Sequence, residues 1–486
     1  MGMKDVSLDR SALNNLGDLN LHRGIEVGSE NDEYDYDMNY TLDDVPKPFS
    51  KALGLGIQHV LTMFGSTIAV PLLLAPALGM SGTSIAILVA SAMLCSGVAT
   101  FLQVNFGTRL PIIQGVSFSF LGPFFAIIGA TAGGAESMQY IAGAIIMGAF
   151  VEMFIGFSGL MGKIQEYISP VVIGPVIALI GLSLYGAGAP TAGGNWLLAG
   201  IVVFCVFLFS LVLGPKKTLF ALFPVLLSVI IAYVVALVLT FTGVFSPDSA
   251  GYVSFETFKA APWFRNPANI VFLWGFPKFK LSFFLVVLAG YLASAIESYG
   301  DYQAMNKACQ GPELTSEQIS RGIGFEGLGC FITGLLGGFS STSYTENIGV
   351  VGLTKVASRY VVNIGVVVLI ILGLVGKFGG FVASIPMPIV GGLYITMFGL
   401  ISAIGLSHTA KADLSSQRNL MIIGFSLFMG LSLPAYFDAS PIQIESAKWL
   451  ADIINSIGGT GIAVGAIAGL ILDNLIPGTK KERGLE

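Results

Sequence analysis

Two carboxylates stand inside segments that are otherwise apolar: Glu297 in FFLVVLAGYLASAIESYG and Glu346 in FSSTSYTENIGVVGLTK. An ionisable side chain at membrane depth costs roughly 3 kcal/mol on insertion scales, so its default meaning is a substrate or proton site. Asp301 follows Glu297 by four residues and shares its helix face, though its place nearer the end of the apolar run also fits an interfacial charge. Glu346 is preceded by SSTSYT, and a similar run of hydroxyls and aromatics, VSFSF, occurs at 116–120. Both runs are too polar for a lipid-facing helix and alternate with the period of extended chain. Each is followed by the start of a half-helix, one at Gly122-Pro123 and one at Asn347. Extended backbone at this depth is tolerated only where it is buried in protein or lines a cavity, so the stretches 115–120 and 341–346 should meet there. The N-termini of the half-helices then aim N–H groups and partial positive charge at one place, a midplane binding site.

The elements that position these residues follow from composition. Of 486 residues, 54% are hydrophobic and 11% charged, and no Asp, Glu, Lys or Arg occurs between Lys51 and Arg109, Lys217 and Asp248, or Lys377 and Lys411. A span needs about 20 apolar residues, so each gap holds one or two of them. The chain reads as an all-α polytopic membrane protein of about fourteen segments, centred near 64, 93, 120, 149, 178, 206, 230, 290, 329, 346, 367, 394, 427 and 468. Arg109, Lys163, Lys216, Lys217, Lys307, Arg321, Lys355, Arg359, Lys411 and Arg418 fall in loops of one side, with Lys480, Lys481 and Arg483 in the tail, and the short loops opposite hold little beyond Lys377 and Lys448. That asymmetry puts both termini in the cytoplasm.

Residues 1–50 differ in kind: SENDEYDYDMNYTLDD is acidic and poor in aliphatics, and reads as a disordered cytoplasmic tail. It accounts for much of the net charge of −5, which suggests no nucleic-acid surface. Beyond it, two halves are related. PVVIGPVIALIGL at 170–182 aligns without gaps with PIVGGLYITMFGL at 388–400, and Ser117-Phe118-Ser119 matches Ser343-Tyr344-Thr345 at a similar offset. Seven spans per half make the repeat inverted, as in secondary transporters. The expected divisions are a first repeat at 51–243, an extracytoplasmic loop at 244–280, a second repeat at 281–478 and a cytoplasmic C-terminal tail at 479–486. Cys95, Cys205, Cys309 and Cys330 lack metal-ligand spacing and read as apolar packing residues, and no metal or cofactor is expected. Glu152 and Glu326 show no second polar group nearby in sequence and read as span-end or inter-domain residues outside the site.

Glu346-Asn347-Ile348-Gly349-Val350-Val351-Gly352-Leu353-Thr354-Lys355 fits [QEP]-N-x-G-x-x-x-x-T-[RKG] at every defined position. On that signature, on Gln58-His59, on Gly115-Val116-Ser117-Phe118 and on Glu297-Ser298-Tyr299-Gly300-Asp301, the chain from about 50 to 478 resembles the nucleobase–ascorbate transporter family, of uracil and xanthine permease type. The resemblance implies core and gate domains that rock against each other, a homodimer in the plasma membrane, and proton- or sodium-coupled uptake of a nucleobase. It implies that Glu297 and Glu346 hydrogen-bond the base, that Phe118 lies against its ring, and that backbone near Tyr344 and Thr345, with Ser117, completes the site. His59 and Asn347, with Gln58, are implied as supports; His59 also reads as a hydrogen-bonded core histidine and Phe118 as core packing.

The residues fit that expectation. Uracil and oxopurines carry alternating N–H donors and carbonyl acceptors on a flat ring, and need fixed acceptors, backbone donors and an apolar face. Glu297 and Glu346, with Asp301 beside them, are also placed to take up and release a proton when access switches sides. Uracil or xanthine is the expected substrate, with adenine and cytosine excluded; ascorbate is disfavoured because the signature does not begin with Pro. Competing classes are sodium-coupled uptake, an anion exchanger or channel of the same inverted-repeat fold, and a membrane enzyme. Two carboxylates without a nearby Lys or Arg weigh against an anion site. No catalytic motif supports an enzyme.

Overall fold

The computed structural model describes residues 38–161, 167–266 and 269–485. Its principal helices are α1 (Phe49–Ala77), α2 (Gly82–Asn105), α3 (Leu121–Gly129), α4 (Gly134–Phe157), α5 (Pro170–Leu182), α6 (Tyr185–Gly193), α7 (Trp196–Phe207) and α8 (Pro224–Phe241) in the first half. The second half holds α9 (Leu281–Ala308), α10 (Ser316–Leu335), α11 (Thr345–Thr354), α12 (Arg359–Leu374), α13 (Met387–Thr409), α14 (Gln417–Ala439), α15 (Lys448–Gly458) and α16 (Gly461–Leu475). Strands β1 (Gln114–Val116) and β2 (Ser341–Ser343) precede α3 and α11. Several starts are set by local chemistry. Pro170 occupies the first turn of α5 behind a Ser169 side chain that accepts from Val171 N–H, and α10 opens on a capping box between Thr315 and Gln318.

Among the described residues nine helices are long and apolar enough to cross a bilayer, or ten if α15 and α16, bent by 89°, count as one span. The count of fourteen is not reached by that measure, for identifiable reasons. The segments with α3, α11 and α12 hold only short helices, and α10 is 20 residues long but too polar, carrying Glu317, Arg321 and Glu326. The two strand-led segments stop short because part of their length is spent on extended chain.

The strands pair antiparallel, Gln114 with Ser343, Gly115 with Thr342 and Val116 with Ser341. Tyr344 N–H to the Ile113 carbonyl and Ser117 N–H to the Ser340 carbonyl, both 3.0 Å, extend the ladder. All six strand residues are buried, the setting in which extended backbone survives in a membrane protein. Gly115 is required there, since a Cβ on it would stand 2.3 Å from the Tyr344 ring. The expected extended stretch at 115–120 is shorter than anticipated. The Ser117 side chain accepts from Ser119 N–H and turns residues Phe118–Phe120 into a 3-10 helix leading straight into α3, so Phe118 sits on a turn rather than a strand. The second half-helix starts at Thr345, two residues before Asn347.

Packing follows a two-fold pattern. Exchange of the halves carries α2 onto α10 and α4 onto α12, and both resulting pairs, α2 with α12 and α4 with α10, are packed together. The aligned segments α5 and α13 also pack on each other and run antiparallel: Gly174 lies at Thr409, and a Cβ on Gly405 would stand 2.2 Å from the Ala178 nitrogen. Corresponding segments thus run in opposite directions, as an inverted repeat requires. Helices α1–α4 and α9–α12 pack chiefly among themselves, as do α5–α8 and α13–α16.

Both ends of the described chain are tied to the body of the protein. Residues 1–37 lie outside the described residues, but 38–48 are not loose. Tyr40 bridges Val356 in parallel, Asn39 N–H and Tyr40 N–H donate to the Lys355 carbonyl, and Asp43 pairs with Arg359. At the other end, residues Lys480–Arg483 form a capped turn, and Arg483 reaches the buried Asp473 at 2.7 Å.

Candidate functional site

The strand crossing brings α1, α3, α9 and α11 together. Helix α11 begins directly after β2, and each of its first three residues bonds to a different partner. Thr345 Oγ1 donates to Asp301 at 2.9 Å, Ser66 Oγ donates to Glu346 Oε1 at 2.6 Å, and Asn347 Nδ2 lies 3.1 Å from His59 Nδ1 and donates to the His59 carbonyl at 3.0 Å. A carboxylate in the first turn is favoured by the helix dipole, and Glu346 occupies that position. Glu346 and Thr345 are exposed, whereas Asn347, His59 and Asp301 are buried.

Glu297 approaches from α9. Its Oε2 receives a long hydrogen bond, 3.4 Å, from Ser119 Oγ at the turn before α3, and it lies within electrostatic reach of Glu346, Glu326 and Asp301. Glu297 and Glu346 each keep one carboxylate oxygen with no protein donor among the described residues. Phe118, half-buried, meets Phe398 of α13 edge to face at 6.0 Å, and Phe398 stacks on Tyr394. The ring of Phe118 therefore stands where the two helix sets meet.

Other expected site residues are committed elsewhere. The Tyr344 hydroxyl donates to the Val116 carbonyl at 2.9 Å and accepts from Thr67, which fastens the crossing from within. The Ser117 hydroxyl is occupied by its cap. Gln58, half-buried, takes no part in the His59–Asn347 pair. A cavity of about 170 Å³ is lined by Glu346, Ser66, Thr62 and residues 221–226 before and in α8; Glu297 and Phe118 do not line it. The carboxylates thus border one crossing, while open space lies on the Glu346 side.

One sequence expectation is corrected. Glu326 is not without polar neighbours: Ser294 and Ser298 donate to its Oε1 at 3.2 and 2.7 Å, and Tyr302 donates to Oε2 at 2.7 Å. Ser298 Oγ also accepts from Ser343 N–H at 3.3 Å, so Glu326 lies directly behind β2. The signal was present in α9, where Ser294, Ser298 and Tyr302 are spaced four apart and line one face. Ser66 was missed because its partner comes from a distant part of the chain, and Ser119, within the expected 115–120 stretch, had no partner assigned to it for the same reason.

A family model for a permease family matches residues 50–439. Solute carrier family 23 member 2 of Homo sapiens is 38% identical over 92% of this chain and 76% of its own length. Nucleobase-ascorbate transporter 1 of Arabidopsis thaliana is 33% identical, covering 92% of this chain and 91% of that one. Among solved structures, the transmembrane domain of the cyanobacterial bicarbonate transporter BicA superposes with a TM-score of 0.55 at 15% identity, over 86% of this chain and 99% of that domain, which shows a shared fold. With signature, strand crossing and relatives in agreement, the chain belongs to the nucleobase–ascorbate transporter family of permeases and is an integral membrane transporter rather than an enzyme.

Proposed function

We propose that this transporter imports a nucleobase, uracil or a xanthine-type oxopurine, by proton symport. The observation that carries the reading is the pair Glu297 and Glu346, held at one strand crossing by Ser119 and Ser66 with one oxygen each left to accept. An ionised carboxylate only accepts, which suits the N–H groups of uracil and xanthine. Against adenine or cytosine it would face ring-nitrogen lone pairs, and the unmatched polar groups would oppose binding. Phe118 supplies the apolar face, and Ser117, Tyr344 and Thr345 set the backbone around it. His59 and Asn347 brace α1 against α11. Glu297, with Asp301 and Glu346, carries the coupling proton. Alternating access arises from the set α1–α4 with α9–α12 rocking against the set α5–α8 with α13–α16. The protein works as a homodimer in the plasma membrane with both termini in the cytoplasm.

Proteoliposome uptake of labelled uracil and xanthine, with and without a pH gradient and with and without sodium, tests this directly. An inward proton gradient should drive accumulation in the absence of sodium, and excess adenine or cytosine should leave it unchanged. Uptake that follows sodium and ignores the pH gradient sinks the coupling, and displacement by adenine or cytosine sinks the substrate assignment.

A further inference from the structure

Behind the site stands a pair of carboxylates, Glu152 and Glu326, that none of these roles employs. Glu152 of α4 is 3% exposed, and neither of its carboxylate oxygens has a hydrogen-bond partner among the described residues. Glu326 of α10 is equally buried, yet receives hydroxyl donors from Ser294, Ser298 and Tyr302. The two helices pack so closely that a Cβ on Gly327 would stand 2.8 Å from the Met153 nitrogen, which places Glu152 within electrostatic reach of Glu326. The other titratable groups facing Glu152 are Tyr291 and Tyr302 of α9 and Cys330 of α10, while Glu297 and Asp301 of α9 lie within electrostatic reach of Glu326. Helix α3, which also touches α4, carries no titratable residue. No Lys or Arg forms an ion pair with either carboxylate among the described residues.

Burying two adjacent negative charges with no cation is prohibitive, and an ionised carboxylate is retained only where donors replace its water. The donors here are all on one member of the pair. We propose that Glu152 and Glu326 hold one resident proton between them, seated on Glu152, and that ionised Glu326 is a positioning residue for the transport site.

Ser298 connects Glu326 to β2. Its hydrogen is given to Glu326, so its oxygen is left to accept from Ser343 N–H at the end of β2 and to bond Thr342 Oγ1 at 3.1 Å. Reversing the Ser298 hydroxyl would aim its hydrogen at the Ser343 N–H and unseat the residue just before Tyr344 and α11. A neutral Glu152 is what lets Glu326 remain ionised in so buried a seam. None of this depends on which ion drives uptake or which base is carried.

Infrared difference spectroscopy and uptake on the full-length protein in proteoliposomes test the assignment. The wild type should show the carbonyl band of a buried protonated carboxylic acid at neutral pH, and Glu152→Gln, a neutral isostere, should remove it while leaving uptake and its pH profile within about twofold of wild type. Glu326→Gln should lower the maximal uptake rate on the order of tenfold with little change in KM, and Glu326→Asp, which keeps the charge, should recover part of that loss. The proposal is overturned if the band survives Glu152→Gln, if Glu152→Gln abolishes uptake in a protein that melts like wild type, or if Glu326→Gln transports normally. An uptake loss in Glu326→Asp as deep as in Glu326→Gln would also refute the positioning role.

Discussion

The two strand-led elements share a backbone plan and divide the chemistry unequally. In the first, β1 turns through Phe118–Phe120 into α3, whose sequence LGPFFAIIG is wholly apolar. In the second, β2 passes at once into α11, and Thr345, Glu346 and Asn347 each find a polar partner on α9 or α1. A two-fold fold need not place equal groups at equal positions. On the function proposed above, the first element would offer an aromatic face and a hydroxyl, and the second, with α9 and its partners on α1, the acceptors, so that a symmetric crossing would meet a ring with a polar edge and an apolar face.

Breaking the polar half should cost most. Glu297→Gln should reduce concentrative uptake on the order of 100-fold or more, the scale associated with loss of an acid–base group. Glu346→Gln should cost about tenfold, near 1.4 kcal/mol, and shift selectivity, since one charge-assisted hydrogen bond is removed. Both are read by labelled uptake in proteoliposomes; a Glu297→Gln protein that accumulates substrate like wild type removes Glu297 from the centre of the site.

The supports of the same half come next. Asn347→Ala leaves the His59 ring nitrogen and carbonyl without their donor in a fully buried place, and should lower stability by about 1–3 kcal/mol. Thermal unfolding in detergent measures it, and an unchanged midpoint would show that the pair braces nothing. On the aromatic side, Phe118→Ala should raise KM by roughly three- to tenfold, corresponding to about 0.5–1.5 kcal/mol of ring contact, with the maximal rate little altered. A loss as deep as that of Glu297→Gln would mean that the halves are not divided as described.

The smallest effect belongs to the N-terminal segment that docks beside the end of α11. Asp43→Ala removes the partner of Arg359 in a pair that is 80% exposed on the Asp43 side, and should change stability by less than about 1 kcal/mol. A larger shift in the unfolding midpoint would show that the 38–48 segment holds α11 in place rather than merely lying against it.

The strand crossing was legible because polar, period-two runs in an apolar chain have only one tolerable setting. The lengths were less so: Ser117 turns its chain after Val116, and a cap of that kind competes with extension at a margin that sequence does not resolve. Glu326 was misread because hydrogen-bond partners were sought along its own segment, whereas its three hydroxyls lie on α9. The 38–48 segment looked like part of a solvated tail because it is acidic, yet backbone pairing with 355–359 does not depend on side-chain apolarity.

By itself the sequence determined the membrane class, the paired half-helix segments, the family signature and the two carboxylates that come to lie beside the crossing, because each rests on hydrophobic pattern or on the cost of charge in an apolar run. Only the tertiary structure decided which donors those carboxylates meet, that Tyr344 locks the crossing, that Phe118 faces Phe398, and that Glu152 lies beside Glu326 with no donor among the described residues. These are matters of distance between segments far apart along the chain, and no local pattern encodes them.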